Sequence, residues 1–331
     1  MSNKGPYSVA ELKTLANGSQ GWGKYLLLEK NQRKLKDGRE VINLKVGDAS
    51  GEIDVVCWDN CQISGQLENG YVVGVLGDMG TYNNRSQLTA RRIKILEDDP
   101  APYMRGPGVP VQKLHYEFKL LLNSIDNSFM KTLLERIFNE ATEKMFVNAP
   151  AARKIHHHYT GGLLEHTLNV ARSCKHAAES YPELNRDLLI TGAILHDIGK
   201  IWEYEIKAAP QYTAAGRLMG HIVLGSELLN EKIKELRQEG MDFPDKLEWM
   251  LKHMILSHHG SLEFGSPVVP LFPEAFVLYM MDNLDAKLFV YKEKINENAG
   301  QDELFTSYDS FFGQYFFTYR LPSENNGGQD E

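Results

Sequence analysis

The sequence predicts a multidomain protein, a small all-β barrel followed by an all-α domain, on three observations. Short β-branched and aromatic runs fill residues 1–98, a proline- and glycine-rich stretch interrupts the chain at 99–111, and from 112 onward apolar residues recur at three-to-four spacing. A length of 331 residues fits two domains. Charge divides along the same line: residues 1–98 carry 13 Lys and Arg against 12 Asp and Glu, whereas 99–331 carry 23 against 32 and hold all 11 histidines. The net charge of -8 argues against a protein that coats nucleic acid over its whole surface, and the asymmetry gives the two parts different work. No run of 18 apolar residues occurs and Met1 to Tyr7 is polar, so the expectation is a cytoplasmic protein without membrane contact. Cys57, Cys61 and Cys174 include no CxxC pair and read as free thiols.

The barrel is read from five strands in order. They are Tyr25 to Leu28 and the residues after it, Val41 to Val46, Ile53 to Trp58, Tyr71 to Leu76, and Gln87 to Ala90 running into Arg91 to Leu96. Lys36-Asp37-Gly38-Arg39 and Asp48-Ala49-Ser50-Gly51 supply turns, and a polar segment separates the third strand from the fourth. Five strands interrupted after the third is the order of an OB-fold, a barrel that often binds single-stranded nucleic acid. Such binding needs cations for phosphates and flat rings for bases. Arg33, Lys34, Arg85, Arg91 and Arg92 offer the first, and Tyr25, Trp58 and Tyr82 the second. Core packing competes for each ring, least at the turn Tyr82-Asn83-Asn84-Arg85, so Tyr82 and Arg85 are the expected contacts. A barrel of net charge +1 guides a strand rather than grips it.

Asp98-Asp99-Pro100-Ala101-Pro102 and Arg105-Gly106-Pro107-Gly108-Val109-Pro110 break helix and strand alike and read as the linker. The expected division is therefore 1–98 for the barrel, 99–111 for the linker, 112–320 for the helical domain and 321–331 for a polar, disordered tail. Helical periodicity begins with Leu114, Phe118, Leu121 and Leu122 and continues through Leu133, Leu134, Ile137 and Phe138. It runs on over 163–180, 187–201, 217–238, 244–258 and 273–296, with Pro244 and Pro273 near helix starts. The aromatic run Phe311 to Tyr319 is expected to pack on the helical core or on a neighbouring subunit, which makes it the candidate contact of a homo-oligomer.

The chemistry concentrates in the helical part. His196-Asp197-Ile198-Gly199-Lys200 follows the apolar run Leu188 to Leu195, so an imidazole and a carboxylate emerge together from a buried helix. Upstream lies Gly161-Gly162-Leu163-Leu164-Glu165-His166-Thr167; downstream lie Gly220-His221, Ser257-His258-His259-Gly260 and Tyr279-Met280-Met281-Asp282-Asn283-Leu284-Asp285. A single buried histidine is usually a hydrogen-bonded core residue, but five such groups on successive helices point to a metal site. Mixed imidazole and carboxylate ligands suit Mn²⁺, Fe²⁺, Co²⁺ or Zn²⁺, whereas Mg²⁺ prefers oxygen alone. The lack of cysteine in the set argues against a structural zinc.

The order His, His-Asp, His, His, Asp with His-Asp-Ile-Gly-Lys intact resembles the HD-domain metal-dependent phosphohydrolases. The preceding OB-like strands, Ile155-His156-His157-His158-Tyr159-Thr160-Gly161-Gly162 and Ser257-His258-His259-Gly260-Ser261-Leu262-Glu263-Phe264-Gly265-Ser266-Pro267 extend that resemblance to the YhaM-type 3′-5′ exoribonucleases over about residues 7–320. The resemblance implies hydrolysis of single-stranded RNA, and sometimes DNA, from the 3′ end to nucleoside 5′-monophosphates, with Mn²⁺ as the usual metal. It implies His166, His196, Asp197 and Asp282 as ligands of one ion, and His221 and His258 as ligands of a second, with Asp197 bridging. Two ions can share an activated water and clamp the scissile phosphate. Lys200 reads either as a cation for a phosphate oxygen or as a solvated lysine at a helix C-terminus. His259 reads as ligand, phosphate contact or bystander. The resemblance sets one or two of His156, His157 and His158 at the pocket mouth, with His157 the expected substrate contact, and His115, His176 and His253 read as structural.

Other readings compete. Cyclic-dinucleotide phosphodiesterases of the same superfamily carry Gly-Tyr-Pro where this chain has Phe264-Gly265-Ser266-Pro267, and a nucleotidase has little use for an OB-fold. A single-stranded nucleic-acid-binding regulator with an incidental metal, and an oxygenase with a di-iron pair, share the residues but differ in products.

Overall fold

The computed structural model describes residues 5–35, 38, 40–82, 85–104, 106–152, 159–205, 210–297, 304–309 and 312–319. The chain divides into two compact units, Met1–Ala286 and Lys287–Glu331. The first holds the barrel and nearly all of the helices.

The short helix α1 (Val9–Lys13) opens the first unit. Ser8 and Glu11 form a reciprocal capping box, and Val9 and Leu12 are buried. Five strands follow, β1 (Gln20–Lys34), β2 (Glu40–Asp48), β3 (Gly51–Ser64), β4 (Val72–Tyr82) and β5 (Arg85–Leu96). They close in the order β1-β2-β3-β5-β4, with β3 and β5 parallel and the other pairs antiparallel. That is the OB-fold expected from the strand order. Leu27, Leu44, Val46, Val55, Val73, Val75, Leu88 and Ile93 fill the barrel, as alternation along half-buried strands requires. Tyr25 belongs to this core: it is fully buried and its hydroxyl donates to the Tyr7 carbonyl at 2.7 Å. It is therefore no stacking platform, while Trp58 and Tyr82 are 39% and 63% exposed.

The helices are α2 (Val111–Asn123), α3 (Ser128–Ile137), α4 (Glu140–Asn148), α5 (Gly162–Ser180), α6 (Arg186–Leu195), α7 (Lys200–Glu203), α8 (Ala214–Gln238), α9 (Asp245–Ser257) and α10 (Pro273–Glu297). Asn127, Asn139, Asn185 and Thr213 cap α3, α4, α6 and α8 with side-chain oxygens that accept backbone N–H groups. α6 is buried from Leu188 to Leu195, the mark of a central helix, and α5 and α9 pack against it. The helix expected over 187–201 is in fact two, because the chain turns at His196 to Gly199 before α7. A two-stranded ribbon, β6 (Tyr204–Glu205) with β7 (Gln211–Tyr212), joins α7 to α8 and was not legible in the periodicity. No described helix is long and apolar enough to cross a membrane.

The turn between α6 and α7 depends on one glycine. A Cβ at Gly199 would stand 2.0 Å from the His221 carbonyl oxygen, so only glycine lets this turn lie against α8. Gly199→Ala is expected to lower stability by about 1–3 kcal/mol, the usual cost of overpacking. Gly106→Ala, where no atom lies within 4 Å of the added Cβ, is the control that leaves the denaturant midpoint unmoved. Equal midpoints for the two variants would refute the close-approach account.

In the second unit the end of α10 carries the aromatic segment. Phe316 is 2% exposed with its ring 4.8 Å from that of Tyr291, and Lys294 pairs with Asp309 at 2.9 Å. Phe305 and Phe317 form an isolated antiparallel bridge. The run thus packs in part on itself and on the last turns of α10; Ser310, Phe311 and the tail 321–331 lie outside the described residues.

Candidate metal centre

Four helix ends or faces bring imidazoles to one buried point, and each ring is held by its outer nitrogen. His196 caps α6 and His258 caps α9, and in both the Nδ1 lies on the carbonyl three residues back, Ala193 at 2.8 Å and Ile255 at 2.7 Å. A carbonyl only accepts, so Nδ1 carries the proton and Nε2 presents a lone pair. His166, on α5, has Nδ1 2.7 Å from Asp285 Oδ2. His221 follows the non-helical Gly220 within α8, and Glu203 Oε1 lies 3.3 Å from its Nδ1 and 3.1 Å from its backbone nitrogen.

The inner nitrogens converge on Asp197. Its Oδ2 stands 3.3 Å from His196 Nε2 and 3.5 Å from His166 Nε2; its Oδ1 stands 3.4 Å from His221 Nε2 and 3.6 Å from His258 Nε2. Asp282, on α10, reaches His166 Nε2 at 3.1 Å and His196 Nε2 at 3.8 Å. His166, His196 and Asp197 group at one end, and His221, His258 and His259 at the other, each set with ligand atoms within 4.8 Å of one another. Ligands about 2.1 Å from a shared ion stand about 3–4 Å apart, which is this spacing.

Electrostatics follow from burial opposed by neighbours. Burial pushes the Asp197 carboxyl up, but the Lys200 ammonium and His196 outweigh it and hold the group well below the usual carboxylate range. Asp282 is likewise lowered against its burial, chiefly by the hydrogen bond with His166. Burial works against a charge on His166, yet Asp197, Asp282 and Asp285 raise it well above an ordinary histidine. Burial lowers His258, and pushes His259 down to about 4 with help from His258, so both are neutral near pH 7. For Glu203, burial raises the carboxyl and the hydrogen bond with His221 brings it below its ordinary value.

Of the residues singled out in the sequence, His166, His196, Asp197, His221, His258 and Asp282 thus share one site, and His259 joins it with its ring 4.2 Å from that of His258. Lys200 is not a solvated lysine at a helix C-terminus. It begins α7, is 6% exposed, and its Nζ sits 2.6 Å from Asp197 Oδ2. Tyr82 and Arg85 are paired in register across the β4–β5 turn, and the Arg85 side chain lies outside the described part. His157, with His156 and His158, also lies outside it. His115 meets Glu143, His176 lies on the Arg172 carbonyl, and His253 accepts from the Leu271 N–H, all away from the cluster's contacts. Sequence reading missed Glu203 and Asp285. Their signal was spacing, since Asp285 is one helical turn beyond Asp282 and Glu203 one turn beyond Lys200.

A family model described as an HD domain matches residues 163–287, and one described as an OB-fold nucleic acid binding domain matches residues 29–96. The 3′-5′ exoribonuclease YhaM of Bacillus subtilis (strain 168) is 33% identical over 273 residues, covering 80% of this chain and 84% of its own. The chain belongs to the YhaM family. YhaM of Geobacillus sp. (strain WCH70) is 29% identical over 315 residues, 92% of this chain and 94% of its own. Among solved structures, the second OB-fold domain of replication protein A from Methanococcus maripaludis is similar over 28% of this chain and 96% of its own, at 20% identity and a TM-score of 0.23.

The HD domain of the YhaM family implies a divalent metal, and the residues present fit one. Asp197 Oδ1, His221 Nε2 and His258 Nε2 are buried with no hydrogen-bond partner among the described residues. Leaving such atoms unsatisfied costs about 1–3 kcal/mol each, and a cation shared between them removes that cost.

Proposed function

We propose that this chain is a metal-dependent 3′-5′ exoribonuclease that hydrolyses single-stranded RNA, with single-stranded DNA as a second substrate, to nucleoside 5′-monophosphates. The observation that carries the reading is the convergence of His166, His196, Asp197, His221, His258 and Asp282 in a buried, partly unsatisfied cluster, in a chain that also holds an OB-fold. Kinship with the YhaM exoribonucleases supports it. The proposed division of labour keeps the barrel at 1–98, the linker at 99–111 and the hydrolytic domain at 112–320.

Two ions fit the two ends of the cluster. His166, His196, Asp197 and Asp282 would hold one, and His221, His258 and His259, with Asp197 between, the other. The mixed imidazole and carboxylate set suits Mn²⁺, Co²⁺, Fe²⁺ or Zn²⁺, and the resemblance to the YhaM exoribonucleases makes Mn²⁺ the first choice. Bound there, divalent ions would lower the pKa of water towards neutrality and offset charge on the scissile phosphate. The chain's own part is to hold ligands ready. Ala193, Ile255, Asp285 and Glu203 fix the four outer imidazole nitrogens and so aim every Nε2 inward. Lys200 holds Asp197 through Oδ2 and keeps it ionised. Tyr82 and Arg85 are proposed to guide the strand from the barrel.

A homo-oligomer is part of this reading. Phe276, Met280 and Leu284 lie along one face of α10 and are 55%, 41% and 46% exposed, an apolar stripe suited to a second copy. Cyclic dinucleotides are disfavoured by the Phe264-Gly265-Ser266-Pro267 segment.

The test uses purified protein stripped of metal and resupplied with Mn²⁺, given single-stranded RNA labelled at either end. Immediate release of the 3′-terminal mononucleotide, with a 5′-labelled ladder shortening by one nucleotide, is expected. Intact RNA, or internal fragments appearing first, would overturn the proposal.

A further inference from the structure

The loop after His259 is built to a fixed shape, yet it displays a large apolar ring to solvent. Gly260 turns with φ 80° directly over Tyr279, where a Cβ would come within 2.1 Å of Tyr279 Cε2. Leu262–Phe264 then form one 3-10 turn, closed by Phe264 N–H to Ser261 O at 3.1 Å and Gly265 N–H to Leu262 O at 3.0 Å. The chain doubles back so that Ser266 N–H also reaches Ser261 O at 3.2 Å. Even so, Leu262 and Phe264 are 67% and 64% exposed. Folding gains little from a phenylalanine left in water.

Its position relative to the metal centre gives it a use. The Phe264 carbonyl accepts from His259 Nδ1 at 2.9 Å, and the His259 ring lies 5.2 Å from that of His221. The backbone that carries the phenyl ring is thus tied to an imidazole of the cluster. Leu218 and Met219, which directly precede Gly220 and His221, are 85% and 42% exposed. Apolar side chains therefore border both histidines at this end.

We infer that Phe264 is the seat on which the 3′-terminal base of the strand stacks while its phosphodiester lies at the cluster, an inference that rests on the exonuclease reading. An enzyme that removes nucleotides one at a time needs a contact common to every base. A π-face supplies it, because stacking tolerates sequence where hydrogen bonding discriminates. Residues 261–271 contain neither Lys nor Arg, so the loop offers no cation to a phosphate chain, and Glu263, exposed beside Phe264, repels one. Only a terminal nucleotide, with no phosphate following it, suits a seat of that charge. The loop thereby favours a 3′ end over an internal segment.

The test compares the full-length wild-type protein, Phe264→Ala and Phe264→Trp on one RNA ending either in a base or in an abasic ribose. On base-ended RNA, Phe264→Ala is expected to lower kcat/KM about 5- to 150-fold, the range of one base–aromatic stack, while Phe264→Trp stays near wild type. Wild type on abasic-ended RNA should drop by a similar factor, and Phe264→Ala should add no further loss there. A second reading needs no turnover: RNA ending in 2-aminopurine, mixed with protein in EDTA, should lose fluorescence with wild type and keep it with Phe264→Ala. Equal kcat/KM for wild type and Phe264→Ala on base-ended RNA overturns the inference, as does an equal penalty on both RNAs. A change in molecular mass on Phe264→Ala with unchanged kinetics also overturns it, assigning the ring to a protein contact. If wild type leaves all RNA intact, the exonuclease reading has failed, and the 2-aminopurine signal alone then decides for or against the seat.

Discussion

Replacing Asp197 by Asn is expected to reduce RNA hydrolysis by about 10²- to 10³-fold, the scale on which a preorganised electrostatic contact at a reacting centre is felt. The size follows from position. Both carboxylate oxygens face imidazoles, Oδ1 towards His221 and His258 and Oδ2 towards His166 and His196, so this one carboxylate spans both ends of the cluster. An amide keeps the shape and loses the charge. It also leaves the Lys200 ammonium, 6% exposed, without its carboxylate at 2.6 Å. Breaking a buried pair from one side typically costs about 3–5 kcal/mol, most of it the stranded charge. Asp197→Asn should therefore be unstable as well as inactive, and the two losses can be separated. Adding Lys200→Met to Asp197→Asn removes the stranded ammonium and should restore much of the unfolding free energy in urea while hydrolysis stays lost. If the double variant regains activity with stability, Asp197 serves folding alone; if Asp197→Asn retains near wild-type turnover, the carboxylate is not the hub of the site.

The legibility of this site in the sequence divides by what each residue does. His196, Asp197, His221, His258 and Asp282 stand out because each ends or interrupts an apolar helical run, where a polar group needs a reason. Glu203 and Asp285 do not, because carboxylates at their positions on α7 and α10 look like ordinary solvent-facing residues until the fold sets them on His221 and His166. The pairing of Lys200 with Asp197 is not legible either, since nothing in a local pattern tells that a turn at Gly199 will bury the ammonium. The OB-fold was legible because five alternating runs with an interruption constrain the topology strongly. The short helix α1, the helix α4 and the ribbon β6–β7 were not, since each is too brief for periodicity to rise above tertiary context. Tyr25 shows the same limit from the other side: alternation alone does not say which face of a strand closes inward.

Lowering the pH from about 7.5 to about 5.5 is expected to weaken Mn²⁺ binding about 100-fold for each proton the ion displaces, since proton and metal compete for the same lone pair. His166 supplies that proton. Burial disfavours its charge, but Asp197, Asp282 and Asp285 raise it well above an ordinary histidine, so in the metal-free protein both ring nitrogens are protonated near neutrality. Nε2 must give up its proton to become a ligand, whereas His258 and His259, lowered by burial, have none to lose there. Stability should move oppositely in the metal-free protein. A histidine raised on folding contributes stability that is complete below its unfolded pKa, near 6.5, and is lost as pH climbs through the folded value. Alkaline pH thus loosens the metal-free cluster and tightens the metal-loaded one. Titration calorimetry of Mn²⁺ binding in two buffers of different ionisation enthalpy counts the released protons directly. About one proton per high-affinity ion at pH 7.5, reduced in Asp285→Asn, supports the assignment; release of none would show that His166 is neutral before the metal arrives and that its three carboxylate neighbours serve only to orient it.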